Sequence, residues 1–195
     1  MNWILFIALL LWIYVLTVLK RGRLHFGFFA IGSIGLFIFL MMLKPMLTGP
    51  LTRFIASASA SIGQFLKITQ PYVGNSMIMI QGKSEALGMV VDYECSGIIE
   101  ILAFTSLLWF FPVYQWKEKV GINVVGVILI CIANILRVIL ISFIVYQWGN
   151  DAYYIAHTLI GRLFFYALSA ALYFYVFTKA QIIRQKVGSF RYEID

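Results

Sequence analysis

Apolar residues in this chain gather in long unbroken runs, and polar residues cluster between them. Five runs reach or approach the roughly 20 residues that a bilayer-spanning helix needs: about residues 2–19, 26–43, 95–113, 121–148 and 153–178. Between the second and third lies a segment, residues 44–94, with a different pattern. Leu51, Phe54, Ile55, Ala58, Ile62, Phe65 and Leu66 recur there at helical spacing, with Arg53, Ser57, Gln64 and Lys67 on the other side. This predicts an amphipathic helix lying at the membrane interface. After Pro71, the runs 77–81 and 87–93 flank Gly-Lys-Ser-Glu-Ala and predict a short β-hairpin. The segment reads either as a cover packed on the bundle or as a docking surface. The fold class is an all-α polytopic membrane protein, read as one integral membrane domain over residues 1–195.

Composition agrees with the pattern. Of 195 residues, 62% are hydrophobic and 12% charged, about half the charge of an ordinary soluble domain. The first run is not expected to be a cleaved signal peptide, because its basic cluster (Lys20, Arg21, Arg23) follows the apolar stretch instead of preceding it. The net charge of +7 reads as topology. With the N-terminus outside, nine of the fifteen Lys and Arg fall on the inner side: Lys20, Arg21, Arg23, Lys117, Lys119, Lys179, Arg184, Lys186 and Arg191. The expectation is N-terminus out, C-terminus in, with a cytoplasmic tail over 179–195. The basic residues form no patch, which speaks against nucleic-acid binding. Two cysteines make no disulfide framework, and two histidines leave little room for a metal cluster.

Ionisable groups within spans are costly and mark candidate sites. Cys95 opens the third run within Asp92-Tyr93-Glu94-Cys95-Ser96-Gly97, and Glu100 lies deeper. In the fourth run Arg137 sits about 15 Å below Trp148, with Asn134 on nearly the same helix face. His157, Gly161 and Arg162 follow in the fifth. Three spans thus bring a thiol, a guanidinium and an imidazole to the same half of the membrane. The thiolate is the reactive form of cysteine, and a helix N-terminus, a cation or a histidine favours it. Arginine stabilises a thiolate, or the oxyanion formed when it attacks a carbonyl. Gly97 and Gly161 permit close approach. Glu100 reads as the ionic partner of Arg137 or Arg162, Cys131 as packing, and the five tryptophans as interfacial anchors. The same charges also fit a non-catalytic membrane subunit or small transporter, in which Cys95 would tolerate replacement. No His-Glu-x-x-His or Gly-x-Ser-x-Gly points to a zinc or serine hydrolase.

Cys95-Ser96-Gly97 with Glu100, then Asn134-x-x-Arg137-Val138, then His157-x-x-x-Gly161 resembles the exosortase/archaeosortase family over about residues 92–177. The short length and five spans look most like its compact Gram-positive branch, exosortase G. The resemblance implies a membrane-embedded cysteine transpeptidase of a bacterial cell membrane. Its partner would be a membrane-anchored protein carrying a C-terminal sorting signal, and it would need no cofactor. Cys95 would be nucleophile, Arg137 electrostatic stabiliser and His157 general base and acid, with Ser96, Gly97, Glu100, Asn134, Gly161 and Arg162 in support.

Overall fold

A computed structural model describes residues 3–71, 74, 76–81 and 86–183. Its elements run α1 (Trp3–Arg21), α2 (His25–Phe65), β1 (Met77–Ile80), β2 (Leu87–Val90), α3 (Ile98–Phe110), α4 (Trp116–Trp148) and a last helical stretch, α5 (Asn150–Ile183). α2, α4 and α5 are each long and apolar enough to cross a membrane, and α3 is a shorter apolar helix. With the 19-residue α1, this is an all-α polytopic membrane protein carrying one small sheet. Residues 82–85 of the predicted hairpin turn lie outside the described residues. So do Asn2 and residues 184–195 of the predicted tail, including Arg184, Lys186 and Arg191.

The second span and the predicted interfacial helix are one element. α2 runs unbroken for 41 residues with Pro45 and Pro50 inside it. That length is about 62 Å, roughly twice the hydrocarbon thickness, so its far half reaches beyond the span predicted at 26–43. The apolar face predicted there is split: Ile55 packs inward, and the rest of the packed face is made of small residues. Thr52, Ile55, Ala56, Ser59, Ala60 and Gly63 are buried, while Phe54, Ile62, Phe65 and Leu66 are exposed. Close backbone approach explains this, because small residues admit a neighbouring chain where large ones cannot. A Cβ on Gly63 would stand 2.6 Å from Thr69 Oγ1.

That small-residue face receives the hairpin. β1 and β2 pair antiparallel with Met77 opposite Val90 and Ile80 opposite Leu87. Thr69 Oγ1 donates to the Ala60 carbonyl at 3.0 Å, and Ser76 Oγ to Thr52 Oγ1 at 3.0 Å. Ile78, Ile80, Met89 and Val91 then join Ile55, Ala56 and Ala60 of α2 and Val138, Ile141 and Val145 of α4 in one core.

The hairpin fills space left by a short helix. α3 has 13 residues, about 20 Å, against about 50 Å for α4. The span predicted at 95–113 is therefore shorter at both ends. Pro112 holds Phe111 extended and ends the helix, and the chain enters α3 only after Gly97. No residue of α3 is exposed, so it is the bundle's inner helix. Non-helical backbone at membrane depth survives only when enclosed in this way. α4 starts five residues earlier than predicted because Gln115 and Glu118 form a reciprocal capping box.

Candidate active site

Cys95 lies in the turn between β2 and α3, and both of its backbone groups are held. Its N–H donates to Asp92 Oδ1 at 3.0 Å, and its carbonyl accepts from Asn134 Nδ2 of α4. Ser96 Oγ donates to the Tyr93 carbonyl at 2.8 Å and accepts from the Ile98 N–H at 3.3 Å, which closes the turn onto the helix. Gly97 then takes φ +74°, the left-handed conformation that starts α3. An added Cβ there would meet nothing closer than 3.5 Å, so the dihedral and not space selects glycine.

The thiol meets two side chains from other helices. Cys95 Sγ is 2.9 Å from His157 Nε2 and 3.8 Å from Arg137 Nη2. The thiol and the guanidinium are enclosed, with Cys95 4% and Arg137 3% exposed. Arg137 Nη1 donates to the Glu94 carbonyl at 3.4 Å, its Cζ lies 5.7 Å from the Phe165 ring centroid, and its Nε has no partner among the described residues. Among the described residues no carboxylate stands at ion-pair distance from it. A buried cation without an anion is expensive, and the atom it faces is a sulfur able to become one.

His157 is half-buried on α5, with Tyr153 stacked on its ring at 5.4 Å between centroids and 20° between planes. The helix has a π-turn over Ala156–Ile160. In an α-helix, residues five apart point about 140° away from each other. A π-turn closes after five residues, so it brings His157 and Arg162 toward one face. Gly161 seats α5 on α4, because a Cβ there would lie 2.8 Å from Ile141 Cδ1.

Cys95, Arg137, His157 and Asn134, predicted from three separate runs, thus meet in one place, with Ser96 and Gly97 shaping the turn. Glu100 stands apart from its expected role. It is half-buried, and among the described residues it makes no ion pair; its carbonyl accepts from Tyr173 Oη at 3.3 Å. The partner of Arg162 is Glu94, with Nη2 to Oε2 at 3.2 Å, because the β2–α3 turn reaches the π-turn face of α5. Tyr93 Oη donates to Glu94 Oε1 at 3.1 Å, which pushes the phenol's pKa up and keeps it a donor. Asp92, Glu94 and Tyr153 are neighbours that sequence reasoning missed. The polar run before the cysteine was the available signal for the first two.

Chemically, the arrangement joins a thiol, a base within hydrogen-bond reach and a buried cation with no carboxylate at ion-pair distance among the described residues. The family model describing transmembrane exosortases matches residues 1–175 of the chain. No curated protein and no solved structure matches it.

Proposed function

The chain belongs to the transmembrane exosortase family, and from that premise we propose that it is a cysteine transpeptidase acting on membrane-anchored proteins that carry a C-terminal sorting signal. The observation that carries this reading is the Cys95–His157 contact at 2.9 Å beside a buried Arg137 that has no carboxylate partner among the described residues. A purely structural arginine would be expected to have one.

In this mechanism His157 takes the Cys95 proton, and the thiolate attacks a peptide carbonyl of the target. The C–S bond forms as the carbonyl π pair moves onto oxygen, and Arg137 stabilises that charge. Collapse breaks the C–N bond. The leaving amine takes the proton from the His157 imidazolium, and a thioester joins target to enzyme. An acceptor nucleophile, an envelope amine or hydroxyl or water, then gives its proton to His157, attacks the thioester and expels the Cys95 thiolate. Asn134 and Gly97 act by holding the turn, and Gly161 by seating α5.

In the same proposal, the hairpin end faces out and the N-terminus lies outside, in a bacterial cytoplasmic membrane. Lys20, Arg21, Arg23, Lys117, Lys119 and Lys179 support this, since all occupy helix ends or loops at the opposite end of the bundle.

The test is co-expression of membrane-anchored candidate targets with the wild-type protein and with Cys95→Ala. Wild type should shorten its target and trap a hydroxylamine-sensitive adduct, and Cys95→Ala should do neither. Normal processing by Cys95→Ala would return the chain to the class of non-catalytic subunits.

A further inference from the structure

The thiol is enclosed, and beside it lies an ion pair that the mechanism does not use. Arg137 and Asn134 bury Cys95 from the α4 side, and His157 flanks it from α5. The apolar core with Val91, Val138 and Ala156 packs around it as well, and at the turn itself stand Tyr93, Glu94 and Arg162, all partly or fully exposed. They form a chain across the bundle. Lys44 Nζ of α2 sits 3.8 Å from the Tyr93 ring centroid, Tyr93 Oη donates to Glu94 Oε1, and Glu94 Oε2 pairs with Arg162 of α5 at 3.2 Å. Glu94 is the residue before the cysteine, and Arg162 reaches it because the π-turn over Ala156–Ile160 turns it toward the His157 face.

We propose that the Glu94–Arg162 ion pair is the entrance of the Cys95 site, closed in the free protein and displaced by the target polypeptide when it reaches the thiol. This rests on the reading of Cys95 as nucleophile. The two side chains are 43% and 49% exposed. An exposed ion pair contributes little to stability, so this one opens readily. Opening frees the Arg162 donors and the Glu94 acceptors, which are the groups that the carbonyls and N–H groups of an extended peptide require. A closed entrance would also keep small electrophiles from the thiol between turnovers.

Labelling of Cys95 by a neutral, hydrophilic methanethiosulfonate tests the proposal directly. Peptide mapping by mass spectrometry would report Cys95 and Cys131 separately, in wild type, Glu94→Gln, Arg162→Gln and the reversed pair Glu94→Arg/Arg162→Glu. Both single variants should label Cys95 about two- to fivefold faster, the range an exposed ion pair supports, and the reversed pair should return toward the wild-type rate. Cys131, within α4, should keep its rate in all four and so report an intact fold.

Electrostatics alone predicts a different pattern. Loss of the carboxylate favours the thiolate and loss of the guanidinium disfavours it, so the two singles would move in opposite directions. That result, or unchanged rates in both, overturns the proposal. If both singles also speed labelling of Cys131, the pair holds the fold and not an entrance, and the proposal is equally overturned. Labelling is read without any target, so its failure is separate from failure of the processing assay.

Discussion

Arg137→Met should stabilise the fold while disabling the site. The arginine is 3% exposed, and its gains are modest. The bond from Nη1 to the Glu94 carbonyl is 3.4 Å, longer than a good charged bond, and is counted at about 1 kcal/mol. The Phe165 ring at 5.7 Å adds about 1 kcal/mol. A neutral thiol at 3.8 Å adds little. Against about 2 kcal/mol of gains stands a burial cost of several kcal/mol for an ion with no carboxylate at ion-pair distance among the described residues. Methionine fills a similar volume and adapts to irregular space. The balance predicts a gain of about 1–3 kcal/mol, and about 2–4 °C in Tm per kcal/mol for a chain of this size. Thermal unfolding in one fixed detergent measures it. In parallel, target processing should fall about 10²- to 10³-fold, the loss expected when an oxyanion donor is removed. A variant less stable by about 3–5 kcal/mol would refute the reasoning, since that is the signature of breaking a compensated buried pair.

Three further outcomes follow from particular contacts. Gly161→Ala places a Cβ 2.8 Å from Ile141 Cδ1 and 3.0 Å from the Ala156 carbonyl. It should cost about 1–3 kcal/mol by overpacking, and Ile141→Val should recover part of the lost Tm. Gly97→Ala has room for its methyl but must hold φ +74°; thermal unfolding should show a loss of about 1–2 kcal/mol. Tyr153→Phe keeps the ring stacked on His157 and should process its target at a near-normal rate. Tyr153→Ala should be about 2- to 10-fold slower, the worth of one aromatic pair.

Much of the architecture was legible because bilayer solvation writes itself into long apolar runs, and the two short runs 77–81 and 87–93 flanking Gly-Lys-Ser-Glu-Ala announced the hairpin. What the pattern could not say was which face of residues 51–66 packs. Hydrophobicity marks the face that leaves water, but at α2 Phe54, Ile62, Phe65 and Leu66 face outward while Thr52, Ser59 and Gly63 face the bundle beside Ile55. The short α3 was hidden for a related reason, since the apolar run beginning at Cys95 continues through a turn that is buried without being helical. At the site, the residues that converge from three runs stood out as ionisable groups at membrane depth. The Glu94–Arg162 pair did not. It depends on a π-turn, and no sequence period separates five residues of π-helix from five of α-helix.

The hairpin has a consequence for biogenesis. Ile78, Ile80, Met89 and Val91 leave the ribosome before the α4 residues Val138, Ile141 and Val145 that wall them in. During synthesis the two strands therefore wait, with only α2 beside them, until α4 has been threaded into the bilayer. The cysteine turn waits with them, because Asn134 and Arg137 ride on the same late helix and His157 on a later one still. On the proposed mechanism, a nascent or truncated chain thus carries a sulfur without its base, and competence would appear only when translation of the last helix is complete.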